Sequence, residues 1–155
     1  MKFSSKEDIE APIAFVFEAI TDFDALERQA LRRGADIQRT DKLKTTGTGM
    51  AWRASFPFRG KDRKAEAKLV AYDIPHGVGF VSETGGLHGN IKVDLVELSP
   101  RRTRISVELD LAPNSLSARL LLQSLRLAKT NLTRRFKKRV GFFADDIEER
   151  YFRQG

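Results

Sequence analysis

The sequence contains no cysteine and only two histidines, His76 and His88, among its 155 residues. The absence of cysteine excludes disulfides, thiolate metal sites and cysteine nucleophiles, and it is typical of proteins from a reducing compartment. Neither histidine has a second histidine at the spacing of a metal site, so we expect no zinc or non-haem iron centre. A Gly-x-Ser-x-Gly elbow is also missing. We therefore predict no catalytic residue set, no metal and no other cofactor.

Long hydrophobic runs are also absent. The longest apolar stretches fall far short of the roughly 18 residues that a membrane-spanning helix needs. The N-terminal residues MKFSSKE lack the apolar core and cleavage site of a secretory signal, so we expect a cytoplasmic location. Hydrophobic residues make up 41% of the chain and charged residues 32%, which is ordinary for a soluble globular protein. The length favours one domain over residues 1–155.

The net charge of +7 is concentrated near the C-terminus. Residues 1–114 carry 18 basic and 17 acidic side chains, whereas residues 115–155 carry 10 and 4. A dense group of basic residues attracts phosphate, either on an anionic membrane surface or on nucleic acid. The alternative is a solvated face that keeps the protein soluble. We define the basic patch as Arg134, Arg135, Lys137, Lys138 and Arg139.

The apolar residues of the first 114 positions follow the pattern of one strand, two short helices and six further strands. A strand over 2–10 leads to Pro12, which suits the first turn of a helix because that N–H has no partner there. Two helices follow, the second ending near Gly34, a residue suited to a left-handed C-cap. Beyond Ala35 the apolar residues alternate with a period of two, and turns recur about every ten residues. This pattern predicts an α+β fold with a seven-stranded antiparallel sheet.

Residues 115–155 are predicted to form one long amphipathic helix. Apolar residues step by three and four from Leu121 to Tyr151, which gives a continuous stripe for the core. About 36 residues in a straight helix would extend to roughly 54 Å, so we expect the helix to bend, fray or overhang the domain, with Gly141 as one candidate bend point. Four leucines lie outside the stripe and make the start of the helix apolar on a second side. We expect this side to be covered by the domain's own loops, by a second subunit in a homodimer, or by a membrane surface. The four leucines are Leu116, Leu120, Leu122 and Leu127.

The segment from Ile9 to Asp22, IEAPIAFVFEAITD, contains a strand end, an alanine-proline pair, a helix and an aspartate. In this segment and in the order of its elements, the chain resembles the START-like superfamily called SRPBCC, which includes polyketide cyclase-like, lipid-transfer and birch-pollen-allergen-like proteins. The resemblance implies the helix-grip fold, in which the sheet curves around the long C-terminal helix. It also implies a cavity between them for an apolar or aromatic small molecule or a lipid. The two histidines and carboxylate of the superfamily's ring-hydroxylating branch are missing.

Small residues on the predicted inward face of the sheet are independent support for a cavity. Ala54, Ala65, Ala67 and Ala71 stand where filled sheet cores favour valine, isoleucine or leucine, so they leave space or let the helix approach closely. For each position, an ordinary packed core is the alternative. The candidate cavity residues are Trp52, Ala54, Phe56, Ala67, Leu69, Phe80, Ser82, Asn90, Ile91, Val93, Val107 and Leu109 from the strands and Leu132, Phe136, Val140 and Phe143 from the helix.

These patterns leave three functions open. The first is binding of a hydrophobic or aromatic small molecule or lipid, as a carrier or sensor. The second is a cyclase or aromatase-type enzyme, in which Ser82, His88 or Asn90 points into the cavity and moves protons. His76 and His88 are candidates for its rim, with a solvated turn histidine as the alternative. The third is an interaction module whose basic patch binds nucleic acid or anionic lipid, although no exposed aromatic residues lie between the charges.

Overall fold

The structure is a computed structural model that describes residues 1–154. Its strands are β1 (Lys2–Ile9), β2 (Asp36–Arg39), β3 (Ala51–Phe58), β4 (Lys61–Asp73), β5 (Gly77–Thr84), β6 (Leu87–Ser99) and β7 (Arg102–Pro113). Its helices are α1 (Ile13–Ile20), α2 (Phe23–Arg32), α3 (Leu116–Leu127) and α4 (Lys129–Gln154). The strands form one antiparallel sheet in the order β1-β7-β6-β5-β4-β3-β2, so β1 and β2 are its edges. The predicted α+β fold with a seven-stranded antiparallel sheet is confirmed.

Two-residue turns join three pairs of strands, and in two of these turns both residues have positive φ. Gly85 and Gly86 connect β5 to β6 with φ values of +54° and +80°, a conformation that glycine adopts without steric cost. Arg59 and Gly60 connect β3 to β4, also with positive φ. Two successive positive φ values are typical of the turn whose twist matches that of the flanking strands. The chain therefore reverses where the turn residues of the sequence indicate.

The helices α1 and α2 carry the chain from one edge of the sheet to the other. The Asp22 carboxylate accepts a hydrogen bond of 3.2 Å from the Ala25 N–H and caps α2. The chain leaves α2 through Gly34, whose φ of +91° agrees with the predicted C-cap. Only Phe23 of α2 is fully buried, while Leu26 and Ala30 stay half-buried. One face of α2 is thus not covered by the rest of the protein.

The C-terminal segment contains two helices where one was predicted. The break falls at Ala128, and α4 runs through the predicted bend point Gly141 without interruption. Neither glycine nor proline stands at the break. Instead, α3 packs on a separate small cluster with Leu87, whereas α4 packs on the main core. No helix within residues 1–154 is long and apolar enough to cross a membrane, and Gly155, the end of the predicted helix, lies outside the described residues.

The main core lies under α1 and α4. Ile9, Leu69, Ile105 and Ile147 are almost completely buried there, and burying each such side chain stabilises the fold by about 1.5–3 kcal/mol. The second cluster contains Ala118, Leu122 and Leu125 from α3 and Leu87 from β6. Leu122 is 2% exposed. The expectation that it lies outside the core-facing stripe is therefore wrong.

A bulge in β4 changes which side chains face the helices. The pairing of β4 with β5 shifts between Leu69 and Ala71. Because an extra residue reverses the alternation, Ala71 is exposed and Tyr72 turns inward, with its ring 5.5 Å from that of Phe17. The predicted inward orientation of Ala71 is therefore wrong.

Candidate ligand-binding site

A cavity of about 850 Å³ lies between α2, α4 and the helix-covered face of the sheet. This volume is within the range of roughly 300–1,000 Å³ that is typical of small-molecule sites. Most of its lining is apolar, which suits an apolar ligand. The apolar lining residues are Val78, Phe80, Val93, Ile105 and Val107 on the strands and Ile20, Leu26, Ala30, Phe136, Val140, Phe142 and Phe143 on the helices.

The cavity exists because the helices lie towards the two edges of the sheet. Helix α4 packs chiefly along β1, and its Phe136 ring centre is 5.9 Å from that of Phe3. Helix α2 packs against β2 at the other edge. The side chains of Phe80, Val93 and Val107 on the strands between these edges remain half-buried as a result. The space above them is the cavity.

An aromatic cluster of Phe23, Trp52 and Phe80 lies behind one wall of the cavity. The Trp52 ring lies 5.0 Å from the Phe23 ring and 5.9 Å from the Phe80 ring. The indole Nε1–H donates a hydrogen bond of 2.8 Å to Glu27 Oε1, which fixes the indole under α2. Trp52 is buried within this cluster, and Phe80 is the member that lines the cavity.

Five polar or charged residues also line the cavity: Gln29, Arg32, Arg33, Arg139 and Asp146. The three arginines are exposed, so they lie where the cavity opens to solvent. We call them the mouth arginines. The Asp146 carboxylate forms an ion pair with the Arg150 guanidinium on α4, at a distance of 3.2 Å. The Nε–H group of Arg150 makes no hydrogen bond in this pair. The cavity therefore has an apolar interior, and its mouth carries more positive than negative charge.

The structure brings six of the sixteen candidate cavity residues into the lining: Phe80, Val93, Val107, Phe136, Val140 and Phe143. The other ten lie outside it. Trp52 and Leu69 are in the buried core, Leu132 packs on the α3 cluster, and Asn90 is exposed. The remaining six are half-buried strand residues beyond the described lining: Ala54, Phe56, Ala67, Ser82, Ile91 and Leu109.

The candidate polar groups of the rim lie away from the cavity lining. His88 is on β6, not in the preceding turn, and its Nδ1 bonds with Glu83 Oε1 across the sheet. His76 is exposed in the turn between β4 and β5, where its backbone N–H donates a hydrogen bond to the Asp73 carbonyl. The Ser82 hydroxyl donates to the carbonyl of Gly89 at 3.4 Å. Within residues 1–154 there is no group of three His, Cys, Asp or Glu side chains suited to holding a metal.

The basic patch is divided by the structure. Arg134, Arg135, Lys137 and Lys138 are exposed and lie outside the cavity lining, whereas Arg139 is at the mouth. The ammonium of Lys138 lies 5.6 Å from the centre of the Phe142 ring, so a cation–π contact joins the patch to the cavity. The predicted outer patch and the predicted cavity thus share one boundary on α4.

Several lining residues were not among the sequence candidates. The main omission is α2, which supplies Leu26, Gln29 and Ala30. Its apolar residues recur at helical spacing, and that signal predicts an inward face. The signal does not say that the face points across a gap towards α4, because that depends on the distance between two helices far apart in sequence.

Comparison with known proteins reveals similarity in structure. No protein-family model matches the sequence, and no curated protein matches it. The Zhui aromatase/cyclase from a Streptomyces species aligns with a TM-score of 0.69 at 11% identity, covering 97% of this chain and 94% of its own. For Ara h 8.0201 the TM-score is 0.63 at 16% identity, covering 98% and 97%. A START superfamily protein from Mycobacterium smegmatis gives 0.59 at 12% identity, covering 88% and 97%.

These identities are low, so the likeness concerns the fold alone. It extends over nearly the whole chain and includes the sheet and the long C-terminal helix. The helix-grip fold expected from the resemblance to SRPBCC proteins is confirmed.

Proposed function

We propose that this protein binds a hydrophobic or aromatic small molecule or a lipid between α2, α4 and the sheet, and acts as a carrier or sensor. The observation that carries the proposal is the 850 Å³ cavity with its twelve apolar lining residues. The apolar groups that line it are accessible to water, and covering them with an apolar ligand is favourable by about 25 cal/mol for each Å² removed from water.

The lining favours binding over catalysis. Its polar members are three arginines, a glutamine and Asp146, which is paired with Arg150. None of the side chains proposed to move protons in a cyclase, Ser82, His88 or Asn90, belongs to it. The likeness to an aromatase/cyclase concerns the fold and does not supply the missing groups. We therefore propose a binding protein.

Two measurements test this proposal. Native mass spectrometry of gently purified protein, followed by organic extraction, should reveal a bound small molecule. Titration with the neutral fluorophore N-phenyl-1-naphthylamine should show one saturable site. The proposal fails if no ligand co-purifies and the fluorophore finds no saturable site.

A pair of variants locates the site. Ala30 lines the cavity from α2, so Ala30→Trp should fill part of it and weaken fluorophore binding about tenfold, equivalent to roughly 1.4 kcal/mol. Ala112 is exposed on β7 outside the lining, and Ala112→Trp is the matched control that should bind normally. Circular dichroism should confirm that both variants are folded. Equal binding by both would place the fluorophore elsewhere.

A further inference from the structure

The mouth arginines bring three positive charges together at the cavity. Arg32 and Arg33 come from the end of α2 and Arg139 from α4, so two elements distant in sequence supply them. Among residues 1–154, no carboxylate lies within 4.0 Å of any of the three guanidinium groups. The acidic residue of the mouth, Asp146, is paired with Arg150. Three arginines and one aspartate therefore line the mouth, and none of the three arginines is in a salt bridge within the described residues.

Such an arrangement favours an anion. An anion at the mouth would be attracted by each of the three positive charges that line it. A guanidinium presents a planar set of donors that matches the two oxygens of a carboxylate or the oxygens of a phosphate. The apolar walls beside the arginines lower the local dielectric constant and strengthen the attraction compared with open water.

From this juxtaposition we infer that the ligand is an anionic amphiphile. Its apolar body occupies the cavity, and its negatively charged head, a carboxylate or a phosphate, is held by Arg139 together with Arg32 and Arg33. This inference rests on the proposed binding function and names the chemical class of its ligand. It also separates Arg139 from the rest of the basic patch, because Arg139 acts on the ligand of the cavity.

A set of ligands with identical tails tests the inference. Dodecanoic acid, dodecyl phosphate and dodecan-1-ol would each be used, below their micelle-forming concentrations, to displace N-phenyl-1-naphthylamine. The two anions should bind at least about tenfold more tightly than the alcohol, since hydrogen bonds to charged groups are among the stronger ones. Comparing the acid with the phosphate identifies the preferred head group. Added salt should weaken the binding of the two anions and leave the binding of the alcohol unchanged.

Arginine variants assign the effect to the mouth. We would test two variants, Arg139→Gln and the double change Arg32→Gln, Arg33→Gln. Each should reduce the preference for anions over dodecan-1-ol without lowering the affinity for dodecan-1-ol. Arg134→Gln is the matched control, because Arg134 is also exposed on α4 but lies outside the lining. If the alcohol binds as well as the anions, or if Arg134→Gln has the same effect as Arg139→Gln, the anionic head is rejected and the apolar site stands. If neither the fluorophore nor the alcohol binds, the proposed function fails as well.

A second surface, on α3, carries an independent inference. Leu116, Leu120 and Leu127 are 72%, 58% and 92% exposed. Their spacing of four and seven residues places them on one face of the helix. The opposite face buries Ala118, Leu122 and Leu125 in the α3 cluster. We call the three exposed residues the α3 leucine face.

The charges around the α3 leucine face indicate what covers it. Arg119 and Arg126 on α3 and Lys129 at the start of α4 are exposed beside it. Arg59, in the turn between β3 and β4, donates a hydrogen bond of 2.7 Å to the Ser124 hydroxyl of α3, so a further basic residue lies close. The sequence has no acidic residue between Asp110 and Asp145. A second copy docked on the same face would bring these positive groups against their equivalents, which is unfavourable.

We propose that the α3 leucine face docks on an anionic membrane surface. The leucines enter the boundary between head groups and acyl chains, while the surrounding basic residues contact lipid phosphates. This geometry is that of an amphipathic helix lying in the plane of the interface. It gives a site at which a protein that carries an amphiphile would meet a membrane.

Vesicle flotation tests the docking proposal. The protein should bind vesicles containing phosphatidylglycerol and phosphatidylcholine, bind pure phosphatidylcholine much less, and dissociate as the salt concentration rises. The double change Leu120→Gln, Leu127→Gln should abolish binding. Leu31→Gln provides the control, since Leu31 is 61% exposed on a different helix. The proposal is overturned if the unmodified protein does not bind anionic vesicles, or if sedimentation shows a dimer that the double change dissociates.

Discussion

Arg139 shows how strongly the role of one residue depends on the exact orientation of its helix. It lies three residues after Phe136 and directly before Val140, two lining residues of the cavity. Successive residues on a helix are separated by about 100°. The side chain of a residue next to the apolar stripe therefore points to one side of the helix. A small rotation of the helix about its axis then decides whether that side chain faces solvent or the cavity. For Arg139 the result is a place at the cavity mouth.

Asp41 holds the chain between β2 and β3. Its carboxylate accepts hydrogen bonds from the Arg39 side chain at 2.6 Å, from the Ala51 N–H at 2.8 Å and from the Leu43 N–H at 2.9 Å. The hydrogen bonds from Arg39, followed by that from the Ala51 N–H, hold the pKa of Asp41 far below its ordinary value of 3.8. The folded state therefore binds the proton less readily than the unfolded state does. The resulting stabilisation is fully present above about pH 4 and is lost as the pH falls from there towards the folded-state pKa.

Replacing Asp41 by asparagine should lower the urea midpoint of unfolding at pH 7, because the charge and one set of accepted hydrogen bonds are lost. The difference between Asp41→Asn and the unmodified protein should shrink below pH 4, where the carboxylate begins to lose its advantage. Chemical denaturation at pH 7, 5 and 3 measures this. Asp62→Asn, at an exposed position of β4, should change the midpoint little at any of these pH values. A constant difference across the pH range would contradict the role of the Asp41 charge.

Among the helices, α4 passes β1 at Gly141 with room for a larger side chain. A Cβ atom placed on Gly141 would lie 3.4 Å from Glu7 Oε1, an ordinary contact with the end of a flexible side chain. Glycine inside a helix is less favourable than alanine by about 1 kcal/mol. Gly141→Ala should therefore raise the free energy of unfolding by up to about 1 kcal/mol, measured by urea denaturation.

Gly77 on β5 is the contrasting position for the same substitution. A Cβ atom there would lie 2.3 Å from the carbonyl oxygen of Val93, so the backbone of β6 would have to move. Gly77→Ala should lower the free energy of unfolding by about 1–3 kcal/mol. A loss of stability in Gly141→Ala would instead mean that α4 cannot adjust its distance from β1.

The apolar periodicity of α3 and α4 was predicted correctly, whereas the break between the two helices was not. Leu125, Leu132, Phe136, Val140 and Ile147 face inward or towards the cavity, as the predicted stripe requires. The break at Ala128 has no local signal, because no glycine or proline stands there. It follows from packing on two clusters, of which the one under α3 includes Met1, Phe58 and Leu111 from distant parts of the chain. Contacts of this kind do not show in the local pattern.

At the scale of the whole molecule, the positions of α2 and α4 at the two edges of the sheet create the candidate site. A helix needs only one apolar stripe to pack, and α4 satisfies much of it along β1. The strands between β1 and β2 then keep half-buried apolar side chains such as Phe80 and Val93. The fold therefore leaves apolar surface that a ligand could cover, and in our proposal the mouth arginines select among such ligands by charge.

The amino-acid sequence by itself determined the type and order of the elements, the α+β class, the inward positions of Phe80, Val93 and Phe136, and the concentration of positive charge near the C-terminus. These properties depend on periods of two or 3.6 residues and on turn residues, which act locally. The tertiary structure alone decided the bulge that exposes Ala71, the break at Ala128 and the gap between α2 and α4. It also decided that Arg32, Arg33 and Arg139 line the same cavity. A displacement of a few ångströms between packed elements decides whether such a gap is open or filled, and local periodicity carries no information about that distance.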